Sequence, residues 1–420
     1  MRIRAWLSAL ALAACAPSLW AVETGLSLED AVREAASADP QVRAARAQYE
    51  AALHQIDQAY TPADPQLTLA NSQTPNGLTR SQTRSVGLSE TFQFPGKAWL
   101  QGGQARRTAE IARLAYLAAA RDARALAQTA YYQTLLDSAA VQAASESKAS
   151  FEQVLEVARV AYTANQAAQT DLISSQFAVS LASQTVLASL VAEANDEAGL
   201  NQVLGRGPQT PVRLAGELSL APFEPSLDDV TGKALALRQE LVEAMLTETN
   251  AGAAKKLAWM SLLPDFSVSW TRNDYPEGSI DSAAGGGASH DFSTSLGLSI
   301  PLFLWFRQKE DIRSADRLLE AAHANRRAVE LQTETSVVQL YRSTQQAYKT
   351  AVLYRDVLVP LAFQDFRVAL TAYQAKKVDF TTLSTVLQNL NAARTSFLTS
   401  SNQFLAGKIA LEQAMGGAQP

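Results

Sequence analysis

The chain has 420 residues, of which 47% are hydrophobic but only 7% aromatic, so its apolar content rests on Ala, Leu and Val and favours long helices. The formal net charge of −5 disfavours a nucleic-acid-binding protein. One Cys excludes an internal disulfide framework and a zinc site built from cysteines, and the three His residues are too scattered to indicate a metal site.

The first 21 residues have the pattern of an export signal. Two arginines precede a short apolar run, Ala5–Ala14, which is too short to be a transmembrane helix. Two cleavage sites fit this segment. One lies near Ala21; the other lies directly before Cys15, because Leu12–Cys15 resembles a bacterial lipobox whose cysteine is acylated. No later stretch is predicted to offer 18 uncharged apolar residues, so the sequence predicts no membrane-spanning helix.

The chain contains two similar halves. Tyr162–Leu172 resembles Tyr373–Leu383 at an offset of 211, and the same offset relates Leu200–Gly205 to Leu411–Gly416. A repeat of about 200 residues indicates a duplicated domain and not a solenoid. Each half is predicted to run helix, strand, loop, strand, very long helix, turn and long helix.

The repeat and the proline distribution divide the chain into four parts. Residues 1–21 are the signal peptide, and 22–204 form the first repeat. Residues 205–232 contain four prolines and are predicted to be a linker, and residues 233–420 form the second repeat.

Four segments alternate between apolar and small polar residues, which predicts β-strands with one apolar face. The segments are residues 66–69, 85–94, 265–270 and 295–300. The intervening Asn71–Arg84 and Thr271–Phe292 are predicted to be loops. A soluble sheet would bury its apolar face under a helix, whereas a membrane barrel would turn that face to lipid. The candidates for lipid contact are Leu67, Leu69, Val86, Leu88, Phe266, Val268, Trp270, Leu296 and Leu298.

Long helices are predicted to follow the strands. Pro95 and Pro301 each mark the point where a strand ends, because proline has no N–H for a strand ladder. A helix from about Lys97 to Thr163 would be roughly 100 Å long and would need partner helices along its length. Heptad spacing in the last helix predicts a left-handed supercoil with the seam Leu383, Leu390, Phe397 and Phe404.

The number of strands predicts an oligomer if the sheet lies in a membrane. Four strands cannot close a barrel, which takes about eight or more. Lipid cannot satisfy the open edges of a four-stranded sheet. Three copies would supply about twelve strands, within the usual range of membrane barrels.

This layout resembles the outer-membrane efflux factors, the TolC-like channels, over nearly the whole mature chain. The resemblance rests on Leu28–Ala31 followed by Asp39-Pro40, on both Tyr-centred turns and on both strand–proline–helix junctions. Phe92–Lys97 and Leu298–Phe303 are most similar to the heavy-metal, CzcC-like branch of the family. The resemblance implies a mainly helical homotrimer with a 12-stranded membrane β-barrel in outer-membrane lipid and a long periplasmic α-helical barrel. It also implies a passive duct that works with a periplasmic adaptor and an inner-membrane pump, with the RND type of pump and metal-cation cargo favoured, and without catalysis or cofactor.

The resemblance also implies a periplasmic tip formed by the turns near residues 164–170 and 375–381. Family members use an Asp–Tyr link and pore-facing aspartates there. The corresponding residues in this chain are Tyr162, Asp171, Tyr373, Asp379, Thr382 and Thr385. Thr382 and Thr385 stand where well-known members carry aspartates, and Asp379 is the alternative source of charge. Asp171 is alternatively a helix cap.

Two other classes of protein remain as alternatives to a channel. A soluble periplasmic adaptor or structural protein built on helical hairpins would explain the long helices but not the four amphipathic strands. An enzyme is disfavoured because the chain has no G-x-S-x-G, H-E-x-x-H or phosphate-binding glycine motif. The sequence identifies no cargo.

Overall fold

The computed structural model describes residues 25–76, 79–216, 218–277, 288–299 and 307–417. The predicted signal peptide, including Cys15, and the junction at Pro301 lie outside the described residues. The described chain consists of one antiparallel sheet and nine α-helices, most of them long.

The sheet has four strands in the order β1-β2-β3-β4. The strands are β1 (Gln66–Asn76), β2 (Thr79–Phe92), β3 (Asp265–Tyr275) and β4 (Ser289–Ser299). All neighbours are antiparallel, so the hairpin of the first repeat pairs edge to edge with the hairpin of the second.

The predicted strands are present but longer than expected. The prediction that Asn71–Arg84 is a loop is wrong, because β1 continues to Asn76, β2 begins at Thr79, and Asn71 pairs with Arg84. Likewise β3 continues to Tyr275, which pairs with Ser289 inside the second predicted loop. Apart from Phe292 and Tyr275, these extensions have mostly polar sequences, so they lack the alternation that identifies a half-apolar strand. In each hairpin, the strands nevertheless continue to pair in the same register through these residues.

Each repeat contributes two short helices before its strands and a long helical hairpin after them. The first repeat has α1 (Leu28–Ala38), α2 (Pro40–Tyr60), α3 (Pro95–Thr163) and α4 (Gln169–Val203). The second repeat has α5 (Leu227–Leu237), α6 (Gln239–Met260), α7 (Lys309–Leu353), a π-helical turn (Tyr354–Leu358), α8 (Val359–Gln374) and α9 (Phe380–Ala414). The helix predicted from Lys97 to Thr163 is confirmed, with 69 residues and a length of about 100 Å.

The short helices begin with the same cap in both repeats. Ser27 caps α1 by accepting a hydrogen bond from the backbone N–H of Asp30, and Ser226 caps α5 in the same way through Asp229. Helix α5 therefore begins at Leu227, inside the segment predicted to be linker. The linker also pairs with the N-terminal segment, because Ala215 N–H donates to the carbonyl of Leu26 at 3.0 Å.

The long helices form a layer of two tiers that continues from the sheet. Next to the sheet, the helices pack in the order α2, α3, α6 and α7. Farther from the sheet the order is α4, α3, α9 and α8, because α3 packs against both α4 and α9, and α9 packs against α8. Helices α4 and α8 are therefore the two edges of the distal tier.

Helix α4 corrects the expectation that no later segment could span a membrane. Its residues Leu172–Ala192 carry no charged side chain. By length and composition alone it qualifies as a membrane-spanning candidate with mean hydropathy 1.4, although only 6% of that window is buried within the chain. The interspersed Ser, Thr and Gln residues obscured this apolar character in the sequence.

Candidate channel surfaces

The nine candidates for lipid contact share one face of the sheet. Leu67 lies directly opposite Leu88, and Val268 lies opposite Leu296, so the apolar residues form cross-strand rows. All nine are exposed, with Leu296 the most exposed at 78%. The structure thus places an apolar face on the outside of this chain, interrupted by Glu90, which lies directly opposite Val268.

Small polar residues and glycines line the other face of the sheet. Ser269 and Ser295 share a hydrogen bond of 2.7 Å between their hydroxyl groups. A Cβ added at Gly297 would lie 2.4 Å from the hydroxyl of Ser267, so a larger residue there would displace this hydroxyl. This face combines small size with polarity, as expected for a surface that faces water.

A buried ion pair fastens the sheet to the helices. Lys97 in the first turn of α3 is only 9% exposed, and its Nζ donates to Asp265 Oδ1 at 2.8 Å and to the carbonyl of Leu263 at 2.9 Å. Asp265 Oδ1 also accepts from the backbone N–H of Phe94 at 3.0 Å. The pair joins the two repeats at the strand–helix junction. Sequence reasoning missed it because its members are 168 residues apart, although the charged Lys97 in an apolar junction was a usable signal.

The two tip turns have the same backbone structure. Asn165 and Lys376 both adopt positive φ, at 52° and 57°, directly after the long descending helices. The next N–H in each turn, from Gln166 or Lys377, donates to a carbonyl five residues back at 2.8 Å. These are helix C-caps of the Schellman type, and they reverse the chain at both predicted tips.

The tip side chains do not all play the roles that the resemblance implied. Asp379 caps α9, since its Oδ1 accepts from the backbone N–H of Thr382 at 2.9 Å and from the Thr382 hydroxyl. The hydrogen bonds from Thr382 lower the pKa of Asp379. Asp171 lies in the first turn of α4 but makes no side-chain cap. Thr385 donates to the carbonyl of Thr381 at 2.9 Å.

Asp171 and Tyr373 lie at one groove of about 640 Å³ between the two tips. The hydroxyl of Tyr373 is buried and has no hydrogen-bond partner in the chain. Burial, and then the negative charge of Asp171, raise the pKa of Tyr373. The structure thus brings the two predicted link residues to the same groove without a hydrogen bond between them. Tyr162 is exposed on α3.

A carboxyl pair between α3 and α4 was not predicted. Burial, and then a hydrogen bond to Asp196, raise the pKa of Asp137 to about 7. Thr134 next to it donates to the backbone carbonyl of Asp196 at 3.4 Å. The raised pKa keeps Asp137 protonated to near neutral pH, and a separation of 59 residues hid its contact with Asp196 in the sequence.

Both edges of the distal tier carry exposed apolar stripes. On α4, Ile173, Phe177 and Leu181 follow one another at intervals of four residues and are 53–70% exposed. On α8, Leu361 and Val368 are 56% and 65% exposed. Exposed apolar stripes of this extent on a soluble monomer are unusual and mark contact surfaces.

The acidic side chains do not gather into a metal site. Among the described residues, no three His, Cys, Asp or Glu side chains lie close enough together to hold a metal ion.

Comparison with known proteins gives a family match for the second repeat and a fold for the whole chain. Residues 230–417 match the model of the family described as outer membrane efflux protein. Comparison with curated protein sequences gave no significant match.

Several solved structures share the fold. The channel protein CusC matches with a TM-score of 0.80 and 17% identity, over 94% of this chain and 94% of its own. The outer-membrane channel OprN matches with a TM-score of 0.79 and 16% identity, over 93% and 90% of the two chains. The CmeC outer membrane channel of Campylobacter jejuni matches with a TM-score of 0.76 and 13% identity, over 93% and 85%.

The structural matches confirm the predicted fold class. The fold is that of TolC-like outer-membrane channels, and the matched family model is that of efflux proteins. OprN and CmeC are themselves described as outer-membrane channels.

Proposed function

We propose that the protein is the outer-membrane channel of a tripartite efflux system, a passive duct that receives substrates from a periplasmic adaptor and an inner-membrane pump. One observation carries this proposal: the sheet exposes an apolar face and ends in two strands, β1 and β4, that each pair on one side only. The family match of the second repeat and the fold of the chain support it.

A homotrimer closes the sheet. Each chain contributes four strands, and a barrel takes about eight or more. Three copies give twelve strands when β1 of one copy pairs with β4 of the next. In a bilayer this closure removes every open edge, which lipid cannot satisfy.

The same rotation closes the helical layer. The apolar stripe of α4 lies on the β1 side of the chain, and that of α8 lies on the β4 side. In the trimer, the α4 edge of one chain, which carries Phe177, therefore meets the α8 edge of the next chain, which carries Leu361. Burying these stripes stabilises the assembly by roughly 25 cal/mol per Å² of apolar surface.

The finer assignments follow from the resemblance. We propose metal cations as the favoured cargo and an RND-type pump as the favoured partner, in line with the similarity of Phe92–Lys97 to the CzcC-like branch. We also propose that the N-terminal segment directs export and that Cys15 is acylated if cleavage occurs before it. Growth of cells lacking their own channel, with and without this protein, in the presence of metal salts or drugs tests the cargo. Protection against drugs alone would refute the metal assignment.

The first experiment tests location and assembly together. The protein, expressed with its own signal segment, is fractionated with inner and outer membranes, extracted in detergent and weighed by light scattering with the detergent mass subtracted. We expect a trimer in the outer membrane that forms channels in planar bilayers. A soluble periplasmic monomer or dimer would refute the channel and support the helical-hairpin adaptor.

A second experiment tests the tip. We propose that Asp171 and Tyr373 hold the tip closed in the assembled trimer, where the unpartnered Tyr373 hydroxyl gains its partner. The change Asp171→Ala should then raise single-channel conductance. Asp365→Ala, which removes an exposed carboxylate on α8, is the matched control. Equal conductance of both variants and the parent protein would refute the tip link.

A further inference from the structure

Two hydrophobic clusters hold the distal tier together at different heights. The tip cluster joins α3, α8 and α9, and its buried members are Val154, Phe366, Ala369, Tyr373, Leu383, Leu387 and Leu390. The body cluster joins α3, α7, α9 and the linker, and its buried members are Leu136, Leu220, Ala347, Ala351, Phe404 and Leu405. The same long helices pass through both clusters.

Between the two clusters every helix loses its buried side chains. No residue is buried in 137–153 of α3, 183–199 of α4, 352–365 of α7–α8 or 391–399 of α9, all of which the structure describes. We call these four segments the waist. On α8 the waist lies about 15–35 Å from the tip at 1.5 Å per residue. Helices α3 and α9 are the inner helices of the tier, so a neighbouring copy at either edge leaves their waist segments as they are.

The waist contains a groove and only partly buried residues at the margins of the two clusters, such as Phe151 and Phe397. The volume of the groove is about 390 Å³, and α3 lines it with small residues such as Ala140 and Ala144. Two buried polar atoms at this groove, Asn391 Oδ1 and Arg394 Nη1, have no hydrogen-bond partner in the chain. Arg394 also pairs with Glu146 across the groove at 3.1 Å. Loose packing and unmet polar groups both weaken this part of the layer.

The edge helix of the second repeat is irregular at the same height. Pro360 has no N–H, and its ring conflicts with the carbonyl four residues earlier, that of Asp356. The chain adapts with a π-helical turn, Tyr354–Leu358, in which the N–H of Val359 donates to the carbonyl of Tyr354. No residue of this turn is buried.

The first repeat has no such irregularity. Helix α3 is continuous over 69 residues, and at the offset of 211 its counterpart to Pro360 is Ala149. The tip tyrosine follows the junction proline by 67 positions in the first repeat, from Pro95 to Tyr162, and by 72 positions in the second, from Pro301 to Tyr373. A π turn accommodates an additional residue in a helix.

We propose that the waist is a bending zone: the tip cluster moves as one unit relative to the body cluster, and the π turn at Pro360 supplies the change in length that one edge helix needs. When a helical layer bends within its own plane, the helix at one edge must become longer than the helix at the other edge. A helix with regular hydrogen bonds resists this change, whereas a π turn with no buried side chain can open or close by one residue. The bend moves both tip turns while their own packing stays intact.

Only the purpose of this motion, which is to change the opening at the tip, rests on the proposed function. The bend itself is a property of the chain and can be measured whether or not the protein conducts ions. Loss of channel activity and absence of the bend are therefore separate results.

Amide hydrogen exchange of the full-length protein in detergent tests the waist. We expect amides in 391–399 to exchange at least about tenfold faster than those of the flanking clusters in the same helix. Pro360→Ala restores an N–H for the carbonyl of Asp356 and should slow exchange around the π turn about fivefold. Pro40→Ala, at the first position of α2 where no hydrogen bond is missing, is the control and should leave the waist unchanged. Equal exchange in waist and clusters would overturn the proposal, even if Pro360→Ala does not fold.

Distances between spin labels test the motion. Cysteines replace Ser343 and Lys377 in a Cys15→Ala background, so that the labels bracket the waist 34 residues apart. Labels at Lys309 and Ser343, also 34 residues apart, bracket only regular α7 and are the control. Dilution with unlabelled protein isolates the distances within one chain. We expect a broader distribution across the waist than in the control, narrowed by Pro360→Ala. Equal widths for both pairs would overturn the proposal.

Discussion

The buried ion pair at the strand–helix junction gives the most direct test of the structure. Replacing Lys97 by Met keeps the aliphatic stem but removes the ammonium group, and with it the hydrogen bonds to Asp265 and to the carbonyl of Leu263. The carboxylate of Asp265 then loses its counter-charge, while the N–H of Phe94 still donates to it.

The expected cost follows from burial. Breaking a fully buried ion pair costs about 3–5 kcal/mol, because the remaining charge is left uncompensated. The Lys97 side chain is 11% exposed but that of Asp265 is 33% exposed, so water can solvate part of the remaining charge. We therefore expect local destabilisation of about 2 kcal/mol, which corresponds to roughly 30-fold faster hydrogen exchange at the junction.

The matched control is an exposed pair of the same type. Lys255 lies 2.7 Å from Asp316 between α6 and α7, with side chains 39% and 46% exposed. Exposed pairs contribute about 0–1 kcal/mol, so Lys255→Met should change local exchange by less than about fivefold. Hydrogen exchange on intact protein in detergent, followed at 94–99 and 263–266, measures the first variant, and peptides around each changed site measure the control. Equal effects of the two variants would refute the argument from burial.

Three further predictions follow from the packing and charge of the helical layer. Gly407→Ala should destabilise the protein by about 1–3 kcal/mol in thermal unfolding, because the new Cβ would lie 2.6 Å from the buried Thr344 hydroxyl; Gly199→Ala, with open space around it, should not. Because the pKa of Asp137 is raised, its contribution to stability is full below about pH 4 and is lost as pH rises to about 7. Asp137→Asn should remove this contribution, so the free energy of unfolding should fall less between about pH 4 and about pH 7 than in the parent protein. An unchanged dependence of the unfolding free energy on pH would contradict the raised pKa. Tyr373→Phe should raise single-channel conductance if the hydroxyl gains a partner in the closed trimer, and unchanged conductance would show that it stays unpartnered.

Local patterns in the sequence were enough to predict the main elements. Alternation located all four strands, and heptad spacing identified Leu383, Leu390 and Phe404, which are buried in the tip and body clusters. Phe397 packs against the body cluster. These features are visible in sequence because the pattern and the packing have the same period.

The remaining features depend on contacts between distant segments. The pair of Lys97 with Asp265 and that of Asp137 with Asp196 each join residues far apart in the chain, and no local period marks them. Pro360 indicated an irregular helix, but whether a proline produces a kink or a π turn depends on the neighbouring helices. The waist is an absence of buried side chains in four helices at one height, so it becomes visible only when the helices are aligned in space.

The duplication changes the symmetry available to the assembly. The hairpin of the first repeat meets that of the second edge to edge, through β2 and β3. Each hairpin with its helices is a similar unit, so the proposed trimer contains six such units. In the proposed trimer, half of the contacts between units therefore lie within one chain and half lie between chains. The α4 stripe of Ile173, Phe177 and Leu181 faces an open edge, whereas the equivalent positions of α9 are Ser384, Gln388 and Ala392. The contact within a chain and the contact between chains therefore differ in apolar character, although the two units share one fold.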